Sequence, residues 1–212
     1  MSPNVITMVR MLIAFVSVGM FRHGFYANVA ALLLLVTAIG LDALDGCVAR
    51  RSGRTSDAGA AFDIAADRIV ENIYWIFFAV AGLISFWIPM IVIARGCLTD
   101  FLRALAFTQG QTAFGEKTMM QTWWGRLLVG SRASRAAYGI VKCAAFFALG
   151  ARLMLDEAPG WRAMLAAGFI DGLKMGALTL AGAAVVFCLL RGVPVIIEGR
   201  RFFRRNQVLT IH

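Results

Sequence analysis

Hydrophobic residues gather into six long stretches, at roughly 5–22, 28–48, 59–83, 87–108, 136–155 and 169–191. A helix needs about 20 mostly apolar residues to cross a bilayer. The pattern therefore predicts an all-α integral membrane protein of about six transmembrane helices. Polar and turn-forming residues separate the stretches: His23-Gly24, Arg51-Ser52-Gly53-Arg54, the run from Ser85 to Pro89, the connection from Gly110 to Arg135, and Pro159-Gly160. The connection 110–135 is the least apolar, and its segment from Thr118 to Trp124 suits the membrane interface, where indole rings sit at headgroup level. The first stretch lacks a basic leader and a small-residue cleavage site, and a second follows almost at once. It is expected to be a retained helix, not a signal peptide.

Composition sharpens this picture. Of 212 residues, 60% are hydrophobic and 16% charged, with a mean hydropathy of +0.75, where soluble domains run at about 45–50% and about 25%. A water-soluble globule is excluded. Cys47, Cys97, Cys143 and Cys188 stand singly, and His23 and His212 are the only histidines, which argues against zinc fingers, disulfide scaffolds and histidine-based triads. The net charge of +9 takes its meaning from position. Fourteen Lys and Arg fall on the side holding both termini and the loops near 50–58 and 109–135, against Arg22, Arg152 and Arg162 on the other. The positive-inside rule then places both termini and those loops in the cytoplasm of a multi-pass cell-membrane protein. The tail 199–212 opens Gly199-Arg200-Arg201-Phe202-Phe203-Arg204-Arg205 directly after a span. It reads as attraction to anionic lipid headgroups, not nucleic acid. Without repeats or linkers, residues 1–212 form a single membrane domain with a basic tail.

Carboxylates stand where a membrane makes them expensive. Asp42 and Asp45 close the second stretch, and Asp63 and Asp67 open the third. Spacings of three and four residues put each pair on one helical face, and the short connection makes the two helices antiparallel neighbours, so the four acids can converge in a polar cavity open to the cytoplasmic side. Such a cluster repels itself unless cations fill it. Oxygen ligands without His or Cys select hard divalent ions, Mg²⁺, Mn²⁺ or Ca²⁺, and two of these offset four charges and clamp phosphates during displacement at phosphorus. Gly46, Ala49 and Gly59 lie one turn from Asp42, Asp45 and Asp63, so backbones approach closely or admit a flat ring there. Arg50 follows Gly46 by four residues, and a diphosphate is its natural partner. Surface pairing with Arg50, Arg51, Arg54 and Arg68 would explain one or two of these acids, but not both regular pairs. A divalent-cation transporter is the reading from another class; it would need polar residues through the bilayer, whereas Ile73 to Phe86 are apolar apart from Tyr74, Trp75 and the turn residue Ser85.

Together these residues spell Asp42-x2-Asp45-Gly46-x2-Ala49-Arg50-x8-Gly59-x3-Asp63-x3-Asp67, which resembles the CDP-alcohol phosphatidyltransferase signature at each defining position. The resemblance implies transfer of the phosphatidyl group of CDP-diacylglycerol to the hydroxyl of a small alcohol, with release of CMP, at a cytoplasm-facing site. It implies that Asp42, Asp45, Asp63 and Asp67 hold the metal ions, Mg²⁺ or Mn²⁺, with Asp67 also the general base. Gly46, Ala49 and Gly59 would line the nucleotide and Arg50 its phosphates, and a homodimer is typical of the family. The opening Pro3-Asn4-x2-Thr7-x2-Arg10 is similar to the family's first span. Asn4, Thr7 and Arg10 share a face and border the nucleotide by this reading; alternatively, Arg10 snorkels to the interface.

The acceptor is addressed by basic residues. Arg95, Arg103, Arg135 and Lys142 lie in or at the fourth and fifth stretches, and so many cations point to an acceptor that carries phosphate. Arg95-x7-Arg103 with Gly139-x2-Lys142 resembles the phosphatidylglycerophosphate synthase branch, whose acceptor is sn-glycerol 3-phosphate. Ile64 stands where that branch usually has Pro, Gly96 where it has Glu, and Gly139-Ile140-Val141-Lys142-Cys143 where it has Gly-Lys-x-Lys-Thr. Inositol phosphate is the alternative acceptor, followed by a neutral alcohol such as serine. The simpler reading of Arg95 is a pair with Asp100. Glu71 is expected to bind Arg68, and Asp171 to pair with Lys174.

Overall fold

The computed structural model describes residues 3–52, 57–108, 122–158 and 167–208. Among them every regular element is helical: α1 (Pro3–Met20), α2 (Phe25–Ser52), α3 (Asp57–Val80), α4 (Trp87–Thr108), a single turn α5 (Trp123–Gly125) that passes into a π-helical turn at Arg126–Gly130, α6 (Arg132–Asp156) and α7 (Ala167–Val208). Each of the six apolar stretches lies largely within one long helix, and α7 continues far beyond the stretch that predicts it.

Helix count and span count differ. Three helices are long and apolar enough to cross a membrane, through Phe25–Asp42, Ala133–Asp156 and Gly168–Arg200. The apolar part of α1, Val5–Met20, is shorter. In α3 the apolar run is broken by Asp63, Asp67, Arg68 and Glu71, and in α4 by Arg95, Asp100 and Arg103. The charges that make α3 and α4 chemically interesting are the ones that lower their apolarity.

The described chain gathers into two compact groups, Met1–Pro89 with Cys143–Ala181, and Met90–Lys142 with Gly182–His212. The first group packs α1 against α2 and α3. Ala14 and Ala31 are fully buried, and the Ser17 hydroxyl donates to the Ala31 carbonyl at 2.8 Å. Small side chains let these backbones approach, the common solution where lipid removes the usual hydrophobic drive. An aromatic cluster fills the other end: Phe21 stacks on Phe77, and Tyr74, Trp75 and Phe78 surround Phe146 of α6. Gly150 admits this packing, because a Cβ there would lie 3.0 Å from Leu32 Cδ1 and 3.2 Å from the Phe21 ring.

The turns are satisfied locally. Gly82 adopts φ +74°, its N–H reaching Ala79 O at 3.0 Å while Leu83 N–H reaches Phe78 O at 3.0 Å. This pair of bonds is a Schellman stop for α3. Between α1 and α2, fully buried Asn28 accepts from the Arg22 N–H at 2.7 Å and donates to Leu153 O at 3.2 Å and Glu157 Oε2 at 3.1 Å. Glu157 also accepts from the Gly24 N–H at 2.9 Å.

In the second group α4 and α7 run parallel, and two glycines set their register. A Cβ at Gly192 would lie 2.6 Å from Arg95 Cγ, and one at Gly199 would lie 2.8 Å from both Leu102 methyls. Both pairs are seven residues apart, two turns of each helix. Leu102, Ala106, Val129 and Val195 form the small core there. Ser131 caps α6, its Oγ accepting from the Ser134 N–H at 3.4 Å.

Asn28→Ala strands the Arg22 amide and the Leu153 carbonyl. Loss of about 1–3 kcal/mol is expected, read as a lowered unfolding temperature of the detergent-solubilised protein.

Candidate active site

Arg10 is the centre of the acidic site. It lies three residues beyond Thr7 on α1, and both are buried at 2% exposure. Its guanidinium pairs with Asp42 of α2 and with two carboxylates of α3, through Nη2 to Asp67 Oδ1 at 2.5 Å and to Asp63 Oδ1 at 3.3 Å. Three helices thus meet on one cation. The spacing Asp63-x3-Asp67 places both acids on one face of α3, while Asp42 reaches the same point from α2. Arg10 Nε has no partner.

One positive charge does not balance three negative ones. Asp42, Asp63 and Asp67 remain about half exposed, at 54%, 44% and 48%, so the cluster is open to solvent cations. Among the described residues no three acid side chains stand close enough to hold a metal ion together. The donor set nevertheless fits a hard divalent ion: carboxylate oxygens alone, gathered from two helices around a point that already attracts positive charge.

Asp45, Gly46, Ala49 and Arg50 continue α2 beyond Asp42, and Asn4 lies in the first turn of α1; the side chains of these five positions lie outside the described residues. Gly59 is half-buried in α3, one turn before Asp63. Glu71, 4% exposed, accepts from Arg68 Nη1 at 3.4 Å, as its spacing predicts. Asp171 and Lys174 are both exposed and form no ion pair among the described contacts. A surface pair three residues apart gains little in water.

A cationic site forms in the other group. Arg95 is 7% exposed and lies across Gly192, with a buried Nε–H that has no partner. Asp100 pairs with Arg103 at 3.2 Å. This corrects the simpler reading of Arg95, because positions 100 and 103 stand one turn apart on the same face. Beside Gly192 stands Arg191, 6% exposed, which donates to Ser134 Oγ at 2.9 Å. The charges of Arg95, Arg103 and Arg135 all act on it. Tyr138 presents its ring to two cations, Lys142 Nζ at 5.5 Å and the Arg191 guanidinium at 6.0 Å, and such faces attract cations. Arg135, Tyr138 and Lys142 share one face of α6 by their spacing.

Two residues escaped the sequence reading in part. Arg10 is expected there only at the nucleotide border or the interface, yet it carries the acidic cluster. Arg191 counts only as a basic residue at the end of the last span. The signal that could have found it is the length of the apolar pattern past residue 191, which leaves its charge inside a helix.

A family model described as CDP-alcohol phosphatidyltransferase matches residues 1–169. The archaetidylinositol phosphate synthase of Aeropyrum pernix is 37% identical over 98 residues, covering 45% of this chain and 48% of that protein. Putative cardiolipin synthases of Mycobacterium bovis and Mycobacterium tuberculosis are each 29% identical over 113 residues, 52% of this chain and 53% of theirs. The chain spans about half the length of the curated relatives it matches.

Replacing Arg10 by Met leaves the three carboxylates facing one another. Breaking a fully buried pair costs about 3–5 kcal/mol; with acids half in solvent, about 2 kcal/mol is expected. Thermal unfolding in a chelator should show the loss, and Mg²⁺ should raise the unfolding temperature of the variant more than that of the parent.

Proposed function

Because this chain belongs to the CDP-alcohol phosphatidyltransferase family, we propose that it transfers the phosphatidyl group of CDP-diacylglycerol to the hydroxyl of a phosphorylated polyol and releases CMP. The observation that carries this reading is the convergence of Asp42, Asp63 and Asp67 on one guanidinium. Inositol phosphate is the favoured polyol. The similarity to an archaetidylinositol phosphate synthase supports it, as do the departures at Ile64 and Gly96 from the glycerophosphate pattern. The spacings of Arg95 with Arg103 and of Gly139 with Lys142 keep sn-glycerol 3-phosphate as the second reading.

In this reaction the acceptor oxygen attacks the phosphorus that bears the diacylglycerol, and the bond from that phosphorus to the CMP oxygen breaks. Asp67 takes the hydroxyl proton. Arg10 engages its Oδ1, which leaves Oδ2 for the transfer and fixes the carboxylate's orientation. Asp42, Asp45, Asp63 and Asp67 would hold two Mg²⁺ or Mn²⁺ ions, which supply charge neutralisation to the diphosphate and its leaving group. Gly46, Ala49 and Gly59, with Asn4 and Thr7, admit the nucleotide, and Arg50 binds its phosphates.

The acceptor's phosphate goes to Arg95, Arg103, Arg135 and Lys142, with Arg191 added. Arg95 Nε–H is a buried donor without a partner, and a phosphate oxygen would satisfy it. The same set of charges around a neutral alcohol would only repel. The excess of Lys and Arg on alternate connections supports cytoplasmic termini and a cytoplasmic site. Residues 1–212 are read as one membrane domain that works as a homodimer.

The test is CMP release from CDP-diacylglycerol by the purified protein with Mg²⁺ or Mn²⁺, with inositol phosphate, sn-glycerol 3-phosphate, inositol or serine supplied separately. Release with inositol phosphate alone is expected, and glycerol 3-phosphate alone would establish the second reading. Release only with inositol or serine overturns the phosphorylated acceptor. Asp67→Asn should slow the reaction by about 10²–10⁴-fold, the usual contribution of a general base. Arg191→Gln should raise KM for the phosphorylated acceptor by about 10- to 100-fold, the worth of one charge-assisted hydrogen bond, and leave KM for CDP-diacylglycerol unchanged.

A further inference from the structure

Pro194 interrupts α7. Proline has no N–H, so the Leu190 carbonyl loses its helical partner there. Opposite this point the chain takes the π-helical turn Arg126–Gly130, an uncommon geometry that recurs at functional positions. Between the two irregular segments lies an apolar groove of about 460 Å³, with Leu190, Val193 and Ile197 along one wall and Trp124 and Leu128 on the other. Sites of roughly 300–1,000 Å³ hold small ligands. One end is polar: the Glu198 carboxylate, 3% exposed, accepts from both the N–H and the hydroxyl of Thr122. None of these residues belongs to the acidic or cationic clusters described above.

The surroundings identify the occupant. The α7 wall belongs to Gly168–Arg200, a segment long and apolar enough to cross a membrane, so acyl chains are the medium in which it sits. Trp123 and Trp124 are both 67% exposed, and exposed indoles mark headgroup level. The face that carries Val193 and Ile197 continues at helical spacing to Arg200, which is exposed, and Arg201, Arg204 and Arg205 follow in sequence. The Glu198 carboxylate is turned to Thr122, and exposed Arg200, one turn beyond Ile197, offers a cation on the face of the groove, so that face matches an amphiphile with a hydrocarbon tail and an anionic head.

We propose that this groove binds an anionic phospholipid of the surrounding bilayer, one acyl chain lying along Leu190, Val193 and Ile197 and its phosphate resting at Arg200. Such a lipid fastens α5 and the π-helical turn to α7 and makes this part of the chain responsive to membrane charge.

The experiment uses the full chain in phosphatidylcholine vesicles doped with a photoreactive acyl probe. The probe carries either a phosphatidylglycerol or a phosphatidylcholine head, and labelled peptides are mapped by mass spectrometry. Residues 124–128 and 189–197 should be labelled preferentially by the anionic probe, by about fivefold. Val193→Trp fills the groove and should abolish that labelling. Arg200→Gln, a surface change that keeps the proposal testable if the Trp variant misfolds, should reduce the preference by about fivefold. Equal labelling by the two probes, labelling that survives Val193→Trp, or an anionic preference unchanged by Arg200→Gln overturns the proposal. Loss of labelling on adding CDP-diacylglycerol also overturns it, because the groove would then seat the donor's own chain.

Discussion

A buried guanidinium surrounded by three carboxylates organises the acidic half of this protein. Arg10 comes from α1, and its partners come from α2 and α3. Displacing α1 withdraws the cation from all three carboxylates, and displacing α2 or α3 removes one or two of the counter-charges that a buried guanidinium needs. Breaking a buried pair is expensive even though forming it gains little, so the interaction acts less as glue than as a specification of how three helices meet. The small residues Ala14, Ser17 and Ala31 permit the approach that this geometry requires. Because one cation faces three anions, the cluster keeps an appetite for positive charge, and the half-exposed oxygens of the aspartates are where that appetite is met.

The second group has the opposite electrostatics. Arg95, Arg191 and Lys142 gather around Gly192 and Tyr138, while Asp100 is committed to Arg103. Cations held this close in a largely apolar chain are stable only with anions or π-faces to receive them. Here the glycines matter in a way that composition does not reveal. Gly192 and Gly199 let α4 lie directly on α7, so that the charge of Arg95 acts on Arg191. A side chain at either position would separate the helices and scatter the charges. One group of residues therefore suits cations and the other suits anions.

How much of this was legible in the sequence can be judged residue by residue. The six helices follow from apolar runs with turn residues between them. The shared face of Asp63 and Asp67 follows from their spacing of four, and the Arg68–Glu71 pair from a spacing of three. Not every spacing is honoured: Asp171 and Lys174 also stand three apart, yet both face outward and stay unpaired among the described contacts. Arg10 sits 32 positions from Asp42 and 57 from Asp67, so no local pattern reveals that it anchors them. Arg191 and Ser134 are as far apart, at 57 positions.

By itself, the sequence determined where the long helices form and that acids at helical spacing share one face. These are properties of single segments: hydrophobic transfer, helical period and the cost of a charge in an apolar medium all act within one stretch of chain. Tertiary structure alone decided which charge meets which. It placed Arg10 among the acids, gave Asp100 to Arg103, brought Arg191 beside Arg95, and opened the groove between α7 and the π-helical turn. Each of these depends on backbones from distant segments approaching at particular small residues, and a one-dimensional pattern carries no information about which distant faces will be brought together.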